Sequence, residues 1–228
     1  MNTSENGRVA HWHSETDDSG IVWLCLNKAD GSANVLSGEV LQQLAKHLEP
    51  LQSKPPTGVV LHSGKDNGFI MGADINEFTT IENPEQGYAL IRLGQQVLDK
   101  VEALPCPTVA AINGFALGGG LELAMACDYR LALEQPKPVL GLPEVQLGIH
   151  PGFGGTVRAV RIAGVRAAMQ LMLTGKPVTI KKVRAIGLID ATTTADQWQQ
   201  AARALINERP ALSRAGWLDR ILNQIGRA

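Results

Sequence analysis

Apolar and polar positions alternate through residues 8–14 and again through 20–26, on either side of the polar run SETDDSG. Period-two alternation around a polar break predicts a β-hairpin. The rhythm then changes. Val40, Leu41, Leu44 and Leu48 recur at helical spacing, which predicts a helix over residues 38–51 with Ser37 as its N-cap. GVVLH at 58–62 is apolar throughout, as a parallel strand covered on both faces requires. A second helical stripe, Leu90, Leu93, Val97, Val101 and Leu104, predicts a helix over 84–104 that Pro105 and Pro107 stop. Residues 108–112 make another buried strand, residues 117–127 a helix after its glycines, and residues 129–132 a strand. Helical patterns return at 155–174 and near 180–186, followed by a short strand at 188–191.

The order β-α-β-α-β-α-β implies α/β layers joined by right-handed crossovers. Residues 192–228 are helical and more polar, with no obvious place in the sheet, so the expected division is a main domain at 1–191 and a helical C-terminal segment at 192–228. A chain of 228 residues, 44% of them hydrophobic, can bury one sizeable core. The formal net charge of −1 gives no long-range field for nucleic acid or an anionic membrane. The three cysteines, Cys25, Cys106 and Cys127, are odd in number and match no zinc spacing; with two of them in apolar runs, a reducing, cytoplasmic compartment is expected. The N-terminus lacks the apolar core of an export signal. The longest charge-free run, between Glu102 and Glu122, holds two prolines and four glycines, which argues against a membrane span.

Three segments carry candidate chemistry. The first is FIMGADI, residues 69–75, where a strand end meets a glycine and Asp74 heads a polar stretch. It reads either as a strand-to-helix turn capped by Asp74 or as a loop presenting free backbone N–H groups to a ligand. The second is NGFALGGGLE, residues 113–122. Three consecutive glycines at a helix start cost roughly 0.5–1 kcal/mol each relative to alanine inside a helix. Close helix packing explains such a run, and so does a ligand near the backbone, since helix-start amides are unpaired and suit a developing oxyanion. Glu122 lies in the first turn, where the helix dipole favours an acid, but its neighbours are apolar. The third is GLPEVQLG followed by PGFGGT, which sets Glu144 alone in an apolar, glycine-rich context. It is either a surface carboxylate on a loop or an acid whose partial burial raises its pKa and suits it to donate a proton.

Other chemistries fit poorly. GFGGTV has Val157 where the third glycine of a dinucleotide fingerprint belongs, and no phosphate-binding G-x-x-x-x-G-K-[ST] occurs. His11, His13, His62 and His150 form no metal constellation, so no metal is expected. There is no G-x-S-x-G nucleophile turn.

Together, FIMGADI, NGFALGGGLELAMACDYRLA, GLPEVQLGIHPGFGGT and LTGKPVTIKKVRAIGLID resemble the crotonase, or enoyl-CoA hydratase/isomerase, superfamily across residues 20–191. Within it the chain is most similar to the N-terminal hydratase part of bacterial multifunctional fatty-oxidation α subunits. The resemblance implies a crotonase-like α/β fold of repeated ββα units with a short helical C-terminal tail. It implies an enoyl-CoA hydratase of fatty-acid β-oxidation, a lyase that adds water to a 2-trans-enoyl-CoA, with isomerase activity as a further option. Another acyl-CoA reaction of the superfamily, or acyl-CoA binding without turnover, is the alternative. Glu122 and Glu144 become the acid/base pair, and the backbone N–H groups of Met71 and Gly119 the oxyanion hole. Ile70, Gly72, Ala73, Asp74, Ile75, Gly118, Pro143 and Gly152 become substrate and CoA contacts, with residues 152–155 shaping the acyl pocket. The thioester is substrate and no cofactor is implied. Implied partners are further copies of the chain, or a dehydrogenase domain and a thiolase subunit. Asn76 departs from the lysine many relatives carry after GADI, which removes one contact to CoA phosphate. Only 37 residues follow Ala191 and no dehydrogenase fingerprint is among them, so a fragment of a longer protein or a minimal form is expected.

Overall fold

In the computed structural model, which describes residues 9–29, 31–137 and 139–211, alternation does give a hairpin: β1 (Trp12–Thr16) pairs antiparallel with β2 (Ile21–Leu26). β1 runs through Ser14, Glu15 and Thr16, which the sequence assigns to the turn. On an edge strand the exposed face accepts polar residues, and the turn itself closes on Asp17, whose Oδ1 accepts from the amides of Ser19 and Ile21 at 2.9 and 3.1 Å. Ser37 caps α1 (Gly38–Ser53) by accepting from Val40 N–H at 3.3 Å, and Val40, Leu41, Leu44 and Leu48 form its buried face.

The rest of the chain repeats one unit, a strand, a second short strand and a helix. β3 (Gly58–Ser63), β4 (Gly68–Ile70), α2 (Ile75–Phe78) and α3 (Pro84–Glu102) are the first unit. β5 (Thr108–Ile112), β6 (Phe115–Leu117) and α4 (Gly119–Ala126) are the second. β7 (Tyr129–Leu133), β8 (Leu140–Gly141) and a 3-10 helix (Pro143–Leu147) are the third, followed by α5 (Gly155–Ala163), α6 (Val165–Thr174), α7 (Ile180–Ala185), β9 (Ala191–Thr193) and α8 (Trp198–Glu208). The first strand of each unit joins a six-stranded sheet of order β1-β2-β3-β5-β7-β9, parallel except for the hairpin; the second joins a three-stranded parallel sheet, β4-β6-β8. These are the ββα units of a crotonase-like fold.

Three sequence expectations move. The helical run at 155–174 is two helices, because Gly164 at φ 83° breaks it. The apolar residues Leu188 and Ile189 are buried in the core as a connection, and the strand begins at Ala191. Periodicity reports burial there, not extended pairing. The division at residue 191 thus runs through β9. Nor is the chain beyond it outside the sheet: α8 lays Ala202, Leu205 and Ile206 on the face made by Ile21, Trp23, Val60 and Val109. The expected helix over 212–228 lies outside the described residues. No helix among the described residues is long and apolar enough to cross a membrane.

α4 is buried at all eight positions and touches strands of both sheets as well as α3 and α5. A helix with no solvent face is held by packing alone, and here the packing reaches the backbone. A Cβ at Gly120 would lie 2.3 Å from the Ile70 carbonyl oxygen and 2.7 Å from the Ile70 Cβ. In a free helix Gly→Ala gains about 0.5–1 kcal/mol. At Gly120 the sign reverses: Gly120→Ala lowers stability by about 1–3 kcal/mol through overpacking. A denaturant midpoint that stays or rises in this variant contradicts the close approach.

Candidate active site

The segment after β4 is pinned by alternate residues. Met71 N–H donates to Asn34 O at 2.8 Å, Leu36 N–H to Gly72 O at 2.8 Å, and Asp74 N–H to Leu36 O at 3.0 Å. Asn34 is 1% exposed, and its side-chain amide donates to Leu26 O, Ser63 Oγ and Phe69 O, which fixes that carbonyl in place. Neither Gly72 N–H nor Ala73 N–H, between the bonded amides, finds an acceptor among the described residues. The Met71 amide is therefore already spent, and of the two unpaired amides it is Ala73 that stands beside the start of α4. The sequence points to the residue before the glycine; the Asn34 carbonyl claims that amide and leaves the one after the glycine facing α4.

Facing Ala73 is the start of α4. Gly118 adopts φ 47°, donates its N–H to Gly141 O at 2.9 Å and offers no side chain as a cap. Gly119 N–H has no acceptor among the described residues. A Cβ on Gly119 would stand 3.5 Å from Ala73 N, so the two free amides share one wall of a cleft.

Both acids reach that cleft. Glu122, one turn into α4, is 2% exposed, and its Oε1 accepts from Phe153 N–H at 2.8 Å and Gly155 N–H at 2.7 Å. Gly155 must be glycine, since a Cβ would sit 2.8 Å from the Glu122 Cγ and Oε1. Glu144, on the 3-10 helix, is 9% exposed. Its Oε1 would stand 3.0 Å from a Cβ on Gly118, and its buried Oε2 has no partner among the described residues.

Met71, Gly72, Ala73, Ile75, Gly118, Gly119, Pro143 and Gly152 also line the cleft. Ile70 does not: it is 1% exposed, in the core beneath Gly120. Asp74 does not either. It caps α2 by accepting from Asn76 N–H and pairs with Lys28 at 3.7 Å, the structural alternative read from the sequence. The apolar wall comes from Phe78 and Ile91, which no motif marks, and from Leu147, Ile149 and Phe153 of GLPEVQLGIHPGFGGT, with His150 beside them. Ile91 was visible only as one apolar position in a long helix. In the stretch expected to shape a pocket, Gly152 and Phe153 line the cleft, and the amides of Phe153 and Gly155 also hold Glu122. The cleft volume is about 100 Å³, below the roughly 300–1,000 Å³ of a whole small-molecule site. Only the reacting end of a larger ligand can be enclosed.

Burial pushes Glu122 up to about 7; the Gly155 amide opposes this and the nearby Glu144 charge adds to it. Burial also raises Glu144, against a backbone hydrogen bond and His150. From an ordinary 4.5 to about 7, folded Glu122 holds a proton that the unfolded chain has lost. Its contribution to stability is full below that window and declines as pH rises through it. Glu122→Gln removes the effect, so the stability of the variant relative to the unaltered chain should climb across the same window. A constant difference in thermal midpoint over that range would show that Glu122 titrates normally.

The model of the enoyl-CoA hydratase/isomerase family matches residues 17–215. Over 178 residues the chain is 42% identical to the fatty acid oxidation complex subunit alpha of Aliivibrio fischeri, a match covering 77% of this chain and 26% of that protein. The chain thus spans about a quarter of the length of this curated relative. Among solved structures, enoyl-CoA hydratase from Bacillus anthracis superposes with a TM-score of 0.80 at 33% identity, covering 87% of this chain and 76% of that one. An enoyl-CoA hydratase/carnitine racemase from Magnetospirillum magneticum gives 0.79 at 27% identity, covering 96% and 82%. With its repeated ββα units, paired free amides and two buried acids, the chain belongs to the enoyl-CoA hydratase/isomerase family.

Proposed function

We propose that the protein hydrates 2-trans-enoyl-CoA thioesters to 3-hydroxyacyl-CoA, as a step of fatty-acid oxidation. The observation that carries this reading is the meeting, in one largely apolar cleft, of two amides unpaired among the described residues with two buried carboxyls of unequal surroundings. The thioester oxygen sits between Ala73 N–H and Gly119 N–H. As water adds, electron density moves from the double bond onto that oxygen, and donors fixed in advance stabilise it without reorganising. Removal of one such donor typically costs about 10²–10³ in rate.

The environments of the acids support a division of labour. Glu122 accepts two amide hydrogen bonds on one oxygen, which favours its ionised form. It orients the water and takes its proton while the oxygen bonds to C3. Glu144 keeps an oxygen with no partner among the described residues, and burial raises its pKa. It carries the proton delivered to C2. The cycle closes when the proton gained by Glu122 returns to Glu144. All the chemistry lies in these groups and the thioester, so the reaction requires no cofactor. The name of the Aliivibrio fischeri relative supports the metabolic setting, and a larger assembly around this chain is part of the same proposal.

Glu144→Gln keeps the shape of the cleft and removes its proton donor. Loss of the enoyl thioester absorbance should slow by about 10²–10⁴, the usual worth of a positioned acid. Binding of a saturated acyl-CoA should stay within a few-fold of the unaltered chain, as expected for a group acting in the transition state. Hydration at the normal rate in this variant would remove Glu144 from the mechanism.

A further inference from the structure

The amides that hold Glu122 belong to the end of the connection from the 3-10 helix and to the first residue of α5, and this stretch is gripped from behind. Arg158, on the first turns of α5, is 6% exposed. Its Nε donates to Glu102 at 2.9 Å and its Nη2 to Asp99 at 2.7 Å, both acids lying on α3. Its Nη1 turns the other way and donates to the Phe153 carbonyl at 2.9 Å. Beneath the guanidinium lies Gly154 at φ 104°, where a Cβ would stand 2.3 Å from Nη1. An arginine that only tied α5 to α3 would need its two carboxylates and nothing more. This one spends a buried donor on the residue whose amide binds Glu122.

α3 holds the same segment at two further points. Gln95 Nε2 donates to Gly152 O at 2.8 Å. Gly94 leaves a notch for the Phe153 ring, which a Cβ there would meet at 2.3 Å. The other side of that ring lies 3.1 Å from a Cβ placed on Gly119. The ring is wedged between α3 and the start of α4.

We propose that Arg158 is a positioning residue for Glu122: it couples α3 to residues 153–155 and so aims their two amides at the carboxyl that the proposed hydration uses. The inference rests on that reading of Glu122 for its effect on rate, but not for its effect on geometry. The charged groups facing Glu122 are Glu144 from the 3-10 helix and Arg158 from α5, and Arg158 is itself paired with Asp99 and Glu102 from α3. Loss of the guanidinium removes a favourable charge and loosens two amide donors. Both effects move the titration of Glu122 to higher pH.

The experiment uses the full chain with Arg158→Met and Arg158→Lys. Lysine keeps the charge, but its ammonium cannot reproduce a planar fork across three partners. In Arg158→Met, kcat for 2-enoyl-CoA hydration should fall by about 10²-fold, the effect of a misplaced catalytic group, with KM within about threefold. The Glu122 carboxyl resonance, assigned by its disappearance in Glu122→Gln, should titrate at higher pH. In a Glu122→Gln background, Arg158→Met should change kcat by less than about twofold, because the partner it positions is gone. If Arg158→Met does not fold, Arg158→Lys carries the test through hydrogen exchange: the amides of Phe153 and Gly155 should exchange at least about tenfold faster. An unmoved Glu122 titration with unchanged kcat, a loss that persists undiminished without Glu122, or unaltered exchange in the lysine variant would each overturn the assignment. Absence of hydration by the unaltered chain would instead defeat the proposed function, while titration and exchange would still decide whether Arg158 holds Glu122.

Discussion

A helix that begins inside the protein rather than at its surface is the constraint around which this chain is arranged. The first amides of any helix lack partners within it. α4 is buried along its whole length, and its N-cap is a glycine with no side chain to offer. A buried donor left unsatisfied costs roughly 1–3 kcal/mol. The fold accepts that cost at the buried Gly119 and leaves a second, half-buried amide, that of Ala73, unpaired nearby among the described residues. Two such donors on one wall are what the proposed hydration uses for an oxygen that gains negative charge. Their neighbours are tied down from two sides: Met71 to Asn34 O in the connection before α1, and Gly118 to Gly141 O on β8.

The glycines around this point are fixed by what they touch, and each contact links a structural element to a chemical group. Gly120 lets α4 lie against the Ile70 carbonyl, which sets the height of the free amides. Gly118 leaves room for the Glu144 carboxyl, and Gly155 for that of Glu122. One side-chain carbon more at any of these positions would displace an acid or a backbone. The glycine content of these segments thus reflects close packing, the first of the two readings that sequence alone leaves open for the GGG run, and that packing leaves room for the second.

Much of the scaffold was legible because burial follows period. The stripe of Val40, Leu41, Leu44 and Leu48 and the apolar strand at 58–62 emerge as a helix face and a central strand. Where one apolar pattern serves two conformations, reading fails. Leu188 and Ile189 are core residues without being a strand, and a single glycine divides the run at 155–174. At the site, the acids and the GGG helix start could be found from their odd company. The donor after β4 could not. Which of Met71 and Ala73 keeps a free N–H depends on Asn34, a residue far back in the chain whose carbonyl claims one of them. Asp74 was separable from the cleft only through the cap it forms and its pairing with Lys28. The grip of the Phe153 and Gly155 amides on Glu122 spans about thirty residues of sequence, and no local pattern records it.

Two like acids in one cleft would be redundant if their surroundings were equal, and they are not. Both are pushed upward by burial, but Glu122 is drawn back by amides aimed at a single oxygen. Those amides donate whether the group is charged or neutral, yet they stabilise the charged form more. Glu144 keeps an oxygen with no such partner and rests against Gly118. One carboxyl is held as a fixed acceptor, and the other keeps an oxygen without a partner among the described residues. That asymmetry depends on α3, because the loop bearing the two amides is shaped by Gly94, Gln95 and the acids that hold Arg158. A helix that contributes only Ile91 to the cleft wall thereby helps set the different surroundings of its two acids.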